Sequence, residues 1–224
     1  MNQQPCLKVC GLTKPEQIQK LIAMKVDFLG FIFYEKSPRY VLNSLTLEDI
    51  SKIDHPGKTG VFVNEKADKI AKIARQAKLN FIQLHGDETN DFILEVREKL
   101  QSDIKIIKVI RIGDNTFENR NKIAEIFNIP ESHTAQPVSY YLFDTDSKAF
   151  GGTGKQFDWK LLNEFDIPLP YFLSGGISEE NIDNITLLNQ KPFALDINSK
   201  FEWEPGNKNI SRIEQFKTLY QQNI

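Results

Sequence analysis

Cysteine, methionine and tryptophan are scarce in this chain of 224 residues, two of each, and histidine numbers three. Cys6 and Cys10 lie four positions apart; in a strand that spacing puts them roughly 13 Å from each other, past the ~7 Å reach of a disulfide, so two free thiols are expected. His55 and His133 fall in loops away from any carboxylate or cysteine cluster, and no metal-ligand set is expected. An excess of one charge is lacking too. Lys plus Arg number 28 against 30 Asp plus Glu, a net charge of −2, so no broad positive field exists to attract a nucleic acid, and none is expected as partner. No apolar run approaches the ~18 residues of a membrane span, and residues 1–5 carry neither the basic nor the apolar part of a leader. A cytoplasmic protein without membrane attachment is the expectation.

What is present describes a globular core. Hydrophobic residues make up 40%, charged residues 26%, and phenylalanine alone occurs 16 times, which excludes global disorder. The length suits a single domain, 1–224, of the larger kind.

Short apolar, β-branched or aromatic runs alternate with longer segments of helical spacing from end to end. Strands are expected at 7–10, 28–33, 60–63, 81–85, 104–110, 140–143, 171–174 and 193–197. Helices are expected at 14–24, 65–77, 88–100 and 179–188, with Thr13, Asn64, Asp87 and Ser178 as their N-caps and Glu16 at capping-box distance from Thr13. The second unit is loosely specified, with a short amphipathic stretch at 46–53. The fifth connection, 113–139, is long; it holds a helix candidate at 116–127 and then a polar stretch, 130–137, with the look of an inserted surface loop. Strand, loop and helix in eightfold alternation imply a parallel sheet, and right-handed crossovers close eight such units into a single (β/α)8 TIM barrel, with a doubly wound open sheet as the competing architecture.

In a barrel of this kind the C-terminal strand ends share one mouth, so chemistry is sought there. Alternation along the first strand sends Lys8 and Cys10 toward the barrel axis and Leu7 and Val9 toward the helices. The Lys8 charge beside Cys10 would favour thiolate and make the cysteine a base; the alternative is a small buried hydrophobe. Asp144 ends the run Tyr140-Tyr-Leu-Phe143, where burial tends to raise a carboxyl pKa and suits a proton donor, with a loop cap as its other role. His85 ends the fourth strand, where a satisfied structural histidine is the commoner case. The glycine loop Gly151-Gly-Thr-Gly154-Lys155 lacks P-loop spacing, with Ala149 and Gln156 at the deciding places. A better phosphate site is Ser174-Gly175-Gly176 together with Asp196-Ile-Asn198-Ser199, after strands seven and eight. Arg39 offers a planar fork for a carboxylate or phosphate, or is an ordinary solvated arginine.

Taken in order, Lys8-Val-Cys-Gly11, Gly30-Phe-Ile-Phe-Tyr-Glu-Lys-Ser-Pro-Arg-Tyr40, Gly60-Val-Phe-Val-Asn64, Gln83-Leu-His-Gly86, Phe143-Asp144, Gly151-Gly-Thr-Gly-Lys-Gln-Phe-Asp-Trp159 and Ser174-Gly-Gly176 closely resemble the phosphoribosylanthranilate isomerase family of tryptophan biosynthesis. The resemblance runs from about residue 7 to residue 216. It implies an Amadori rearrangement of N-(5-phosphoribosyl)anthranilate by acid and base, without metal or cofactor, on a small phosphorylated substrate. By the same resemblance Asp144 is the acid, Cys10 the base and Arg39 the holder of the anthranilate carboxylate. Gly154, Gly175, Gly176 and Ser199 match the phosphate-binding stretches, Asp196 lies near the sugar hydroxyls, and His85 is close to the site. A monomer or homodimer is expected. The chain departs from the family after strand eight, where Asn198 and Lys200 replace a serine and a glycine. Another phosphosugar barrel isomerase or epimerase, and a catalytically silent barrel subunit, are the alternatives.

Overall fold

The computed structural model describes residues 4–113, 117–127, 137–146 and 157–223. Eight parallel strands close into a barrel in chain order: β1 Cys6–Val9, β2 Phe28–Ile32, β3 Lys58–Phe62, β4 Phe81–Leu84, β5 Lys105–Ile112, β6 Tyr140–Thr145, β7 Tyr171–Leu173 and β8 Ala194–Ile197. Closure is direct, because β1 pairs with β8 in a register that sets Lys8 beside Asp196. The open-sheet alternative is thereby overturned.

Period-two alternation sorts each strand into two faces. Leu7, Val9, Leu29 and Phe31 point outward into the large core beneath the helices. Phe28, Ile107, Val109, Leu142, Phe172 and Ala194 point inward and form a second, smaller core. Phe28 meets Phe81 and Phe172 edge-on, each at 5.1 Å between ring centres. This aromatic plug fills the N-terminal half of the barrel and leaves the inward positions at the strand C-terminal ends for polar groups.

The helices are α1 Pro15–Ala23, α2 Leu47–Ser51, α3 Ala67–Gln76, α4 Asn90–Lys99, α5 Phe117–Phe127 and α6 Ile210–Asn223. Thr46 caps α2 in a reciprocal box with Asp49, and Pro15 opens α1 at the position where its missing N–H costs nothing. Four expected caps are corrected. Lys14, Lys66 and Thr89 precede α1, α3 and α4, in place of Thr13, Asn64 and Asp87. The displaced residues are engaged across the barrel mouth. Thr13 donates to the Gly206 carbonyl at 2.8 Å, Asn64 accepts from the Asp87 N–H at 2.7 Å, and Asp87 pairs with Arg111. Ser178 caps no α-helix: its N–H donates to Asn181 at 2.9 Å in a turn that leads into a 3-10 segment, Ile182–Leu187. A second 3-10 segment, Trp159–Glu164, links β6 to β7.

After β8 the chain makes one 3-10 turn, Ser199–Phe201, and an antiparallel hairpin of β9 Glu202–Glu204 and β10 Asn207–Lys208. Pro205-Gly206 turns the hairpin, with Gly206 at φ +82°, as a turn with proline second and glycine third requires. The 130–137 stretch lies, up to residue 136, outside the described residues, as does Gly154 with the rest of its glycine loop.

Candidate active site

One cavity opens at the C-terminal mouth of the barrel, and Cys10, Arg39, His85, Asp144, Gly175, Gly176, Asp196 and Ser199 all line it. The structure therefore brings together every expected site residue except Gly154, which is not among those described.

Cys10 follows β1 and is a free, buried thiol, as Cys6 is a free one. Its room comes from β2: a Cβ on Gly30 would fall 2.8 Å from the Cys10 sulfur and 2.9 Å from its Cα. Lys8 is fully buried two residues earlier and donates to Asp196 Oδ1 at 2.8 Å. Burial works against the Lys8 charge, but Asp196 and Cys10 beside it more than offset this and raise its pKa. The expectation of a resting thiolate is corrected here. Burial pushes the Cys10 thiol above its ordinary value, and the Lys8 and Lys208 charges only partly oppose it.

Asp144, near the end of β6, is buried, and its Oδ1 accepts from the Thr145 N–H at 2.8 Å. Its Oδ2 lies 3.2 Å from His85 Nε2, out of line for a full hydrogen bond. Gln83 Nε2 donates to His85 Nδ1 at 2.8 Å, which leaves the ring proton on Nε2, facing the carboxylate. His85 is thus a cavity residue aimed at Asp144.

Gly175 and Gly176 both adopt the left-handed region, at φ +82° and +78°. A Cβ on Gly175 would stand 2.4 Å from Thr145 Oγ1 and 3.2 Å from Asp144 Oδ1, so glycine is required both by conformation and by space. Their main chain, with Ser199 at the start of its 3-10 turn and Lys200 next to it, forms one side of the cavity.

Arg39 is no solvated arginine. It is 9% exposed; its Nε and Nη2 donate to Glu202 at 2.9 and 2.6 Å. Glu202 also receives Lys208 Nζ at 2.6 Å. Sequence reasoning missed Glu202, Lys208 and Thr145 and gave Gln83 no role. The Pro205-Gly206 turn between Glu202 and Lys208 was the available signal that these two lie side by side. Among the described residues no group of three or more His, Cys, Asp or Glu has the arrangement of a metal site.

A closed (β/α)8 barrel with a thiol, a carboxyl group and a glycine turn after β7 at its mouth has the form of a phosphosugar-binding barrel enzyme. The model of the N-(5′-phosphoribosyl)anthranilate isomerase family matches residues 7–218. The isomerase of Parabacteroides distasonis is 35% identical over 213 residues, 94% of this chain and 90% of its own. The crystal structure of phosphoribosylanthranilate isomerase from Thermotoga maritima superimposes with a TM-score of 0.77 at 29% identity, covering 97% of this chain and 99% of that one. A related isomerase bound to reduced 1-(o-carboxyphenylamino)-1-deoxyribulose 5-phosphate gives 0.73 at 28% identity, with 97% and 99% covered. The chain belongs to the phosphoribosylanthranilate isomerase family and is an isomerase of tryptophan biosynthesis.

Proposed function

We propose that Asp144 and Cys10 are the acid and base of the isomerisation. The observation that carries this reading is their shared cavity: both line it, one at the end of β6 and the other just past β1. Asp144 gives its proton to the ribofuranose ring oxygen as the C1′–O bond breaks, and the anilino nitrogen supplies electrons to form an iminium. Cys10 takes the proton from C2′, and the C–H electrons form the enolamine double bond. Tautomerisation adds a proton at C1′ and removes the one on the C2′ oxygen, which yields the ketone.

A buried sulfur with a raised pKa is rarely a thiolate, yet each thiolate is the stronger base, and a cationic iminium beside it favours the charged form. The Thr145 N–H holds the Asp144 carboxyl, and His85 Nε2 faces it. Asp196 keeps Oδ2 for a sugar hydroxyl while Lys8 holds Oδ1. Gly175, Gly176 and Ser199 receive the phosphate and Arg39 the anthranilate carboxylate. Acid and base each contribute about 10²–10⁴-fold, so Cys10→Ala and Asp144→Asn should each lower kcat by at least about a hundredfold. The assay follows anthranilate fluorescence as phosphoribosylanthranilate is consumed. Undiminished turnover in either variant sinks the corresponding role.

A further inference from the structure

Arg39 is held in a small buried network of charges. Glu202 accepts from Arg39 Nε and Nη2, from Lys208 Nζ at 2.6 Å and from the Gly206 N–H at 3.1 Å, so both of its oxygens are committed. Lys208 is 2% exposed and also donates to Asn198 Oδ1 at 2.8 Å. Its main chain is locked to α1, where Gln17 accepts from the Lys208 N–H at 2.9 Å and donates to its carbonyl at 3.0 Å. On the other side Arg39 rests on Gly11: at φ +77° that glycine has no Cβ, and one there would fall 2.6 Å from Arg39 Cδ.

Two cations and one anion are thus buried together at the rim of the cavity. Lys208, though burial lowers it to about 8, is still mostly protonated at neutral pH, and Glu202 is held below the ordinary carboxyl range by Arg39 and Lys208 in spite of its burial. The adjacent pair of Lys8 and Asp196 is balanced. The network is one negative charge short, and a carboxylate arriving at Arg39 supplies it. The departure at position 198 fits the same picture, because the Asn198 side chain gives Lys208 an acceptor.

We propose that Glu202 and Lys208 are positioning residues for recognition of the substrate carboxylate: Glu202 fixes one edge of the Arg39 guanidinium, Lys208 fixes Glu202, and Nη1 is left for the incoming carboxylate. The inference rests on the reading of Arg39 given above. Neither residue touches the reacting atoms, so the effect falls on carboxylate affinity and not on phosphate affinity or proton transfer.

The test measures Kd for the reduced product analogue and for its counterpart without the ring carboxylate. The ratio of the two isolates what the carboxylate contributes. A charge-assisted contact should make the ratio about tenfold or more in the unmodified enzyme and near one in Arg39→Met. Glu202→Gln and Lys208→Met nearly preserve shape, and because release of the Arg39 fork outweighs the change in net charge, each should reduce the ratio by about threefold or more, leave affinity for the counterpart unchanged, and raise KM more than it lowers kcat. An unchanged ratio in both variants, with Arg39→Met at one, overturns the positioning roles and leaves the Arg39 reading intact. An unchanged ratio in Arg39→Met overturns both. The unmodified enzyme offers an independent check should a variant fail to fold. The Arg39 Nε–H resonance, identified by its loss in Arg39→Met, should exchange slowly with solvent, and fast exchange refutes the clamp.

Discussion

Cys10 shows how two opposing local effects are decided by geometry. A lysine two positions away in the sequence argues for an acidic thiol, and its charge does act on the sulfur, but the loss of water on burial outweighs it and the Asp196 carboxylate, which Lys8 meets at 2.8 Å, adds to the upward push. The net effect disfavours the thiolate. The consequence is measurable in a Cys6→Ser background, where Cys10 is the remaining thiol. Its alkylation rate by iodoacetamide should rise with pH to a midpoint above the ~8.5 of a free thiol, and the reduced product analogue should protect it. A midpoint below the free-thiol value would mean that the lysine charge outweighs burial.

Strands were more legible than helices, for a physical reason. Apolar and β-branched runs mark a two-sided buried strand whatever surrounds it, and all eight lie within two residues of the expected bounds at every end, β5 and β6 running two past 110 and 143. Helix starts depend on which polar side chain is free to cap, and Thr13, Asn64 and Asp87 are all taken by contacts from residues distant in sequence, in the hairpin turn, the β4–α4 loop and β5. The same holds in the site. Cys10, Asp144 and Arg39 were visible as strand-end or loop chemistry, whereas Glu202 and Lys208 acquire meaning only when the hairpin folds back over Arg39, a partner 163 positions from Glu202 in sequence. The turn after β7 was legible as glycine-rich, and its φ values show why alanine cannot replace glycine there. Gly175→Ala meets both a left-handed backbone and Thr145 Oγ1 at 2.4 Å, so a loss of about 1–3 kcal/mol is expected. Because the displaced atoms include those that hold Asp144, kcat should fall together with phosphate affinity. Denaturant unfolding and phosphate-analogue binding read the two effects; a variant as stable and as tight-binding as the parent would contradict the tight packing of this turn.

At the scale of the whole molecule, the barrel is closed where its first strand meets its last, and an ion pair buried on both sides, Lys8 with Asp196, lies at that seam. A buried pair contributes little net stability over an apolar one of equal volume, but a single member left behind is costly. Lys8→Met strands the Asp196 carboxylate in the interior and should cost about 3–5 kcal/mol, read as a lower urea midpoint with an unchanged slope. Adding Asp196→Leu removes the orphaned charge and should restore most of that loss although both polar groups are now gone. The pH dependence has a definite sign. The Lys8 pKa is raised by folding, so its contribution is fully present below the unfolded value of about 10.4 and is lost only as pH rises through the higher folded value. The single variant's deficit should therefore be flat from neutrality to pH ~9. If the double variant is instead less stable than Lys8→Met, the pair itself, and not the avoidance of a lone charge, holds the two ends of the sheet together.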